Sequence, residues 1–222
     1  MRYYPVNLDI AGKTCLVVGA GAVAARKAAT LASCGARVRV VGPVACGEVL
    51  AMQSRGTIAW EKRPYRQEDL DGAFLVIAAT DDETVNDQVS RQALARNMLV
   101  NVADQPERCS FVLPAVVDRD GLVVTVSTEG KSPAMARRIR QKLETEFGPE
   151  YGPFLNLMAA VRARLLARAH APEEHKELFY RLIDEGLLAA VRDKDPGAAD
   201  RLLNAVLGPG FSCCELLPGW FS

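Results

Sequence analysis

The chain has 222 residues, of which 49% are hydrophobic and 24% are charged, and its formal net charge at pH 7 is zero. This neutral balance gives no overall attraction to nucleic acid or to an anionic membrane, so neither is expected as a partner. The N-terminus has no secretory signal, and no apolar run approaches the roughly 18 residues of a membrane span.

The cysteines and histidines limit the chemistry further. Six cysteines without a CxxC pair favour reduced thiols in a cytoplasmic protein over a disulfide framework; they are Cys15, Cys34, Cys46, Cys109, Cys213 and Cys214. Both histidines, His170 and His175, come late in the chain. A multi-histidine metal site is therefore not expected in the first 169 residues, and we predict no metal ligands.

A glycine turn near the N-terminus is the strongest local signal. The apolar run from Thr14 to Val18 predicts a strand, and after Gly19 and Gly21 an Ala-rich segment from Val23 to Cys34 predicts a helix. Gly19 allows a tight turn, and Gly21 lets a phosphate approach the amides at the helix N-terminus. Other α/β proteins also contain glycine turns, so the interpretation depends on the residues that follow.

Those residues favour a dinucleotide. A second strand, Arg37 to Val41, completes a β-α-β unit of about thirty residues, which is typical of a Rossmann domain. The acidic residue that usually holds the ribose hydroxyls is missing after this strand, where Gly42, Pro43 and Val44 stand instead. Charge therefore does not decide between NAD and NADP.

Three more strands are predicted, at 57–60, 74–78 and 99–102, with a helix at 84–97 between the last two. In an open α/β sheet, ligands bind outside the carboxyl ends of the strands. Four residues stand at such ends and are expected to converge on one crevice: Gly19, Pro43, Thr80 and Asp104.

Asp104 is the candidate for proton chemistry. It directly follows an apolar strand, and a partly buried carboxylate in the crevice can act as a general base. The alternative is a structural role, as an Asx turn or a cap ahead of Pro106. The residues alone favour neither.

The pattern changes in the second half of the chain. Two β-rich runs, 111–117 and 122–127, flank an Asp-Gly turn and predict a hairpin. Ser132 and Pro133 predict the start of a basic helix that ends at Phe147. Helix is predicted from Tyr151 to about Leu207, with breaks at 185–186 and 195–197, and the last fifteen residues are predicted to be irregular.

The basic helix has two interpretations. Its cations are either a solvated face that pairs with Glu144 and Glu146 or one wall of a polyanion pocket; they are Arg137, Arg138, Arg140 and Lys142. The turn from Thr128 to Ser132 supports the pocket, because glycine, hydroxyls and a helix N-terminus together suit an anion.

Together these motifs resemble the siroheme synthase N-terminal family, which comprises precorrin-2 dehydrogenases with or without sirohydrochlorin ferrochelatase activity. The resemblance covers about residues 2–147. The matching stretches are Tyr4–Val6, Val17–Lys27, Ala36–Pro43, Ala78–Asp82 with Asn86, Asn101–Asp104, Phe111–Ala115, Ser127–Pro133 and Ala136–Arg140.

The resemblance implies an α/β fold in three parts. These are a Rossmann-type NAD-binding domain at 1–112, a β-rich dimerisation region with the hairpin and basic helix at 113–148, and a helical C-terminal domain at 149–222. It also implies that a cytoplasmic homodimer oxidises precorrin-2 to sirohydrochlorin, with NAD⁺ as electron acceptor, in siroheme biosynthesis. Some members insert ferrous iron as well, and whether this chain does so stays open.

The resemblance also assigns site residues. Asp104 matches the aspartate held to be catalytic in the family. The predicted cofactor-binding residues are Gly19, Gly21, Ala22, Val23, Pro43, Val44, Thr80 and Asn101. Because the substrate is a tetrapyrrole polycarboxylate, the basic segment gains a role, and the predicted substrate-binding residues are Thr128, Gly130, Lys131, Ser132 and Arg137.

Two departures from the family pattern bear on these predictions. Glu129 stands in a turn where the family often has glycine, and its charge opposes an acidic substrate unless it points outward. The match fades after Phe147, and no fused methyltransferase domain is expected. The alternative function is a non-catalytic Rossmann module that senses a nucleotide or carries a tetrapyrrole, which binding without turnover would favour.

Overall fold

The computed structural model of the chain describes residues 2–167 and 172–221. It divides into two compact units, Met1–Leu113 and Pro114–Ser222. The part of the predicted helical run at 168–171, and His170 with it, lies outside the described residues. The three-part division of the chain stays a prediction.

The first unit is built on a five-stranded parallel sheet in the order β3-β2-β1-β4-β5. Its strands are β1 (Thr14–Val18), β2 (Arg37–Val41), β3 (Ala59–Glu61), β4 (Leu75–Ala78) and β5 (Leu99–Val102). Strand β4 is wholly apolar and β1 is apolar after Thr14, because helices cover both faces of the sheet. The predicted α/β Rossmann-type fold is confirmed.

Three helices cover this sheet: α1 (Ala22–Ser33), α2 (Gly47–Ser54) and α3 (Glu83–Ala95). Buried residues of α1 and α2 pack on one face of the sheet, and those of α3 pack on the other. Asp82 caps α3, because its carboxylate accepts hydrogen bonds from the amides of Thr84 and Val85. The sequence predictions did not include α2.

The third strand begins two residues later than predicted. The amide of Thr57 donates to the carbonyl of Met52 at 3.0 Å, so this residue still belongs to the turn that ends α2. Extended pairing with β2 begins only at Ala59.

Four charged side chains form a network beside β2 and β3. Arg39 and Arg63 both bond to Glu61 and to Asp69, and Asp69 is 3% exposed. The carboxylate of Asp69 also accepts the amide of Arg66 at 2.8 Å. Burial raises the pKa of Asp69, but the bonds from Arg63 and Arg66 outweigh burial and the net pKa is lowered.

The free edge of β5 is covered by the residues that end the first unit. The amide of Val100 donates to Ser110 Oγ at 2.8 Å, and the amide of Val102 donates to Cys109 Sγ at 3.1 Å. Asn101 Nδ2 donates to the carbonyl of Phe111 at 3.0 Å. These side-chain bonds satisfy edge groups that would otherwise be open to pairing.

The second unit begins with the predicted hairpin, β6 (Ala115–Arg119) and β7 (Leu122–Val126), followed by α4 (Pro133–Glu146). Phe111 was predicted in the first hairpin strand, but it packs against the core of the first unit. Arg119 donates to the carbonyls of Glu144 and Phe147, which satisfies the end of α4.

The remaining described helices are α5 (Tyr151–Ala167), α6 (Pro172–Asp184), α7 (Leu187–Arg192), α8 (Pro196–Leu207) and α9 (Cys213–Leu216). They share one apolar core. The predicted breaks are confirmed at Gly186, which has a left-handed backbone, and at Asp195, whose carboxylate caps α8. The tail is not wholly irregular, because Cys213 begins α9 and is buried.

Candidate active site

The glycine turn after β1 is closely packed. Gly19 has φ +108°, and its amide donates to the carbonyl of Val41 at 2.8 Å. A Cβ at Gly19 would lie 2.3 Å from the carbonyl oxygen of Ala79. Both the backbone angle and the lack of space therefore require glycine.

The next glycine faces open space. Gly21 is the N-cap of α1, is exposed, and would carry a Cβ with nothing within 4 Å of it. No side chain caps α1, and its first turn contains no acidic residue. The amides and the positive end of the helix dipole are thus available to a phosphate, and the turn fits a dinucleotide.

The other residues predicted around this turn vary in exposure. Ala22 is exposed on the first turn of α1, whereas Val23 packs against the core. Pro43 and Val44 follow β2 and are both exposed, Val44 to 79%. Trp60 Nε1 donates to the carbonyl of Gly42 at 3.0 Å and fixes the backbone ahead of them.

Thr80 is held by a buried asparagine that the sequence analysis did not assign to the site. Asn86, on α3, is 4% exposed. Its Oδ1 accepts the amide of Thr80 at 3.2 Å, and its Nδ2 donates to the carbonyl of Thr80 at 2.9 Å. Asn86 therefore fixes the end of β4 next to the glycine turn. Its place six residues after Thr80 in a matching motif was the available signal.

Asn101 is buried in β5, and its side-chain amide is engaged with the carbonyl of Phe111. This contact binds the covering segment to the sheet. The predicted role of Asn101 in cofactor binding stays a prediction.

Asp104 lies two residues beyond the end of β5 with φ +60°. Its side chain is exposed, so the expected partial burial is wrong. The residue at the N-cap of the short 3-10 helix Pro106–Arg108 is Gln105, so Asp104 is not that cap. An exposed carboxylate at a strand end is accessible to a substrate proton.

The charge of Asp104 acts on Lys27, a half-buried residue of α1. Burial and the neighbouring Arg26 lower the pKa of Lys27, against the opposing influence of Asp104. Lys27 of α1 is thus close enough to Asp104 for their charges to interact. The sequence analysis quoted Lys27 only as part of a motif.

The predicted substrate residues of the second unit lie around the start of α4. The amide of Lys131 donates to the carbonyl of Thr128 at 2.9 Å, and the amide of Ser132 donates to Thr128 Oγ1 at 3.2 Å. Ser132 caps α4 by accepting the amide of Met135, as predicted. Gly130 has φ +80°, which suits the tight turn.

The charges of this segment are partly paired. Lys131 Nζ lies 3.6 Å from a carboxylate oxygen of Glu129. The lysine charge therefore offsets part of the negative charge that was expected to oppose an acidic substrate. Arg140 pairs with Glu144 within α4, while Arg137, Arg138 and Lys142 are exposed. The helix thus combines a local ion pair with exposed cations.

Two further searches cover the described residues only. At 2–167 and 172–221, no three His, Cys, Asp or Glu side chains come together as a metal site. None of the helices in these ranges has both the length and the apolarity needed to cross a membrane.

Comparison with known families agrees with this geometry. A family model of NAD(P)-binding domains matches residues 6–115. The model of the central part of sirohaem biosynthesis proteins matches residues 119–146. The chain belongs to the siroheme synthase N-terminal family.

Siroheme synthases from several bacteria are similar along most of the chain. The one from Nitrosococcus oceani is 36% identical over 211 residues, which are 95% of this chain and 45% of that protein. The one from Pseudomonas entomophila is 41% identical over 208 residues, 93% of this chain and 45% of that protein. The chain thus spans less than half the length of these relatives, and the likeness continues past Phe147, where it was predicted to fade.

A solved structure supports the fold. The precorrin-2 dehydrogenase SirC is similar with a TM-score of 0.77 and 25% identity, over 92% of this chain and 98% of that one. The agreement extends beyond the sheet to the hairpin and the helical region of this siroheme synthase family member.

Proposed function

We propose that the chain catalyses the NAD-dependent dehydrogenation of precorrin-2 to sirohydrochlorin, with Asp104 as the general base. The observation that carries the proposal is the first unit's sheet, whose carboxyl ends bear both a glycine turn suited to a dinucleotide and an exposed carboxylate. Membership of the siroheme synthase family supplies the substrate class.

The proposed reaction removes two electrons and two protons from precorrin-2. NAD⁺, when bound, takes up both electrons and one of the protons. The second proton passes to the carboxylate of Asp104 and from there to water. Because the side chain of Asp104 is exposed, water reaches the carboxylate directly and can take up the proton that it accepts.

Particular residues hold the cofactor in this proposal. The amides after Gly19 and Gly21 bind the pyrophosphate, helped by the dipole of α1. Ala22 and Val23 line the turn, and Pro43 and Val44 offer apolar surface beyond β2. Thr80 follows the end of β4, and Asn101 is the next-to-last residue of β5. The lack of an acidic side chain after β2 leaves the ribose to backbone groups.

The substrate's carboxylates are proposed to meet the basic segment around the start of α4. Lys131 and Arg137 supply charge, and Thr128, Gly130 and Ser132 shape the turn. Exposed cations gain little from solvated partners, so they are available to a polyanionic ligand.

The decisive test is an assay with purified protein, precorrin-2 and NAD⁺. Sirohydrochlorin and NADH should form in equal amounts. Asp104→Asn should lower kcat by about 10²–10⁴-fold while NADH fluorescence titration shows unchanged cofactor affinity. Full activity of Asp104→Asn would remove this residue from its role, and tetrapyrrole binding without turnover by the unmutated protein would favour a carrier.

Insertion of ferrous iron is proposed as a second activity of the same site. It forms bonds from the metal to the four pyrrole nitrogens of sirohydrochlorin and releases two protons, for which Asp104 is an acceptor. An absorbance change on adding ferrous iron to sirohydrochlorin without NAD⁺ tests it directly. No change in rate over the spontaneous reaction would exclude it.

A homodimer in the cytoplasm is proposed as the working form. Val116 and Val123 are 45% and 51% exposed on one face of the hairpin, which suits association with a second copy. The proposed cytoplasmic location rests on the sequence, in which six cysteines occur without a CxxC pair. Val123→Asp should convert a dimer to a monomer in sedimentation analysis, while a wild-type monomer would refute the dimer.

A further inference from the structure

Cys109 contacts both ends of the turn that carries Asp104. The amide of Val102, two residues before Asp104, donates to Cys109 Sγ at 3.1 Å. The same sulfur lies 3.2 Å from the carbonyl oxygen of Gln105 and 3.4 Å from that of Val102. One side chain thus spans the turn from strand end to helix start.

The direction of these bonds follows from the sheet. The amide of Ala103 donates inward to the carbonyl of Ala78 at 2.9 Å, so the preceding amide, that of Val102, faces outward from β5. Because β5 is the edge strand of the sheet, none of the strands in the described part of the chain accepts that bond. The sulfur of Cys109 takes the place of a strand partner.

The thiol also donates. A thiol has one proton, so Cys109 can bond either to the carbonyl of Gln105 or to that of Val102 at a given moment. Burial raises the pKa of Cys109, although the bond from Val102 opposes this, and the net pKa lies above its ordinary value. The thiol therefore keeps its proton at neutral pH.

The turn needs such a contact. Asp104 adopts a left-handed backbone, which aspartate enters more readily than most residues with a side chain but which neighbouring contacts must still hold in place. The backbone bond that closes the turn, from the amide of Gln105 to the carbonyl of Val102, is long at 3.4 Å. The contacts of Cys109 with Val102 and Gln105 add to this long bond at both ends of the turn.

We propose that Cys109 is a positioning residue, whose thiol holds the turn so that the Asp104 carboxylate stays at the end of β5 where it accepts the substrate's proton. This inference rests on the proposed role of Asp104 as base. Cys109 itself touches neither cofactor nor substrate in this account.

Kinetics of matched variants test the proposal. Cys109→Ala should lower kcat about tenfold, as displaced catalytic groups do, with KM and NADH affinity within about twofold of wild type. Cys109→Ser should recover part of the loss, because a hydroxyl can also accept from Val102 and donate to Gln105. The control is Cys34→Ala, which removes an exposed thiol and should leave all constants unchanged. A wild-type kcat in Cys109→Ala would overturn the proposal.

A double-mutant cycle separates positioning from a general structural effect. In the Asp104→Asn background, Cys109→Ala should cause no further loss of the residual rate, because the carboxylate it positions is gone. A further tenfold loss would overturn the proposal. If Asp104→Asn is inactive and Cys109→Ala is fully active, only the proposed role of Cys109 is refuted. If Asp104→Asn is fully active, Asp104 is not the general base, and the proposal for Cys109 fails with it.

A readout without substrate tests the contact itself. Amide hydrogen exchange at Val102 should accelerate in Cys109→Ala and stay unchanged in Cys34→Ala, since only the first variant removes the acceptor of that amide. Equal exchange in wild type and Cys109→Ala would overturn the proposal even if the kinetics changed.

Discussion

The backbone of Ala79 occupies the space that a side chain at Gly19 would need: a Cβ there would lie 2.3 Å from the Ala79 carbonyl oxygen. The strands β1 and β4 run side by side and end together at this point. The contact joins the proposed cofactor site to fold stability, because the turn that is proposed to face a phosphate is also packed against the neighbouring strand.

Gly19→Ala should therefore destabilise the first unit. The substitution combines a clash with backbone and a strained positive φ, for an expected cost of at least about 3 kcal/mol. Urea denaturation followed by circular dichroism measures the loss. A free energy of unfolding within about 1 kcal/mol of wild type would contradict the packing.

Gly21→Ala should weaken cofactor binding and leave stability almost unchanged. The new Cβ meets nothing within 4 Å and the backbone there is ordinary, with φ −81°, so stability should stay near that of wild type. The methyl group would instead occupy the space of the phosphate, and NADH affinity should fall about tenfold or more. Fluorescence titration together with the denaturation curve separates the two effects. Unchanged affinity would argue against a phosphate at this turn.

Asn86→Asp should destabilise the end of β4. The substitution keeps the shape but removes the donor to the Thr80 carbonyl and places a charge in a site that is 4% exposed. The expected cost is about 2–3 kcal/mol, since a buried acceptor is left unsatisfied. Thermal denaturation measures it, with the exposed neighbour Gln88 mutated to Glu as the control. Equal melting temperatures for the two variants would contradict this role.

Asp69 should make stability depend on acid pH. The folded chain lowers the pKa of Asp69 below its ordinary value, so the folded state binds fewer protons than the unfolded state as pH falls. The stabilisation is complete above about pH 4, the ordinary value for aspartate, and is lost as pH drops through the lower folded pKa.

The corresponding variant is Asp69→Asn. Its free energy of unfolding at neutral pH should be about 2 kcal/mol lower than that of wild type, because Arg63 and Arg39 lose a charged partner. Between about pH 5 and pH 2, which brackets the ordinary pKa of aspartate, the stability of the variant should change less than that of wild type. Glu68→Gln, at an exposed neighbouring position, is the control. An acid profile for Asp69→Asn that parallels wild type would contradict the assignment.

Glu129→Gln should strengthen substrate binding. Removing the partner of Lys131 leaves that cation to the carboxylates of the tetrapyrrole, so KM should fall about two- to fivefold while kcat stays constant, an effect of the size of an exposed ion pair. Added salt should reduce the difference. A higher KM would mean that Glu129 instead supports the turn.

The order of the Rossmann elements could be predicted because periodicity and glycine placement are local. The strands from Thr14, Arg37 and Leu99 begin as predicted, and Ser132 caps its helix. The helix α2 was missed because its apolar residues, Val49 to Met52, are consecutive and therefore do not mark one face of a helix.

The site was less predictable than the sheet, because its supporting contacts are side-chain bonds between separate segments. The sequence placed Asp104 at a strand end, but nothing in its neighbours indicated an exposed carboxylate on a left-handed backbone. Asn86 bonds to Thr80, and Cys109 bonds to Val102. These contacts form only in the folded chain. The sequence around Cys109 does not indicate that its sulfur bonds to Val102 and Gln105.

The cover on β5 has a bearing on how the chain is synthesised. Cys109, Ser110 and Phe111 follow the strand that they protect, so a nascent chain on the ribosome carries an open sheet edge until these residues emerge. We expect the edge of β5 to be covered once these residues have emerged. A truncated product that stops at Arg108 would leave the edge amides of β5 exposed and open to pairing with other copies. A product that continues through Leu113 would have this edge covered.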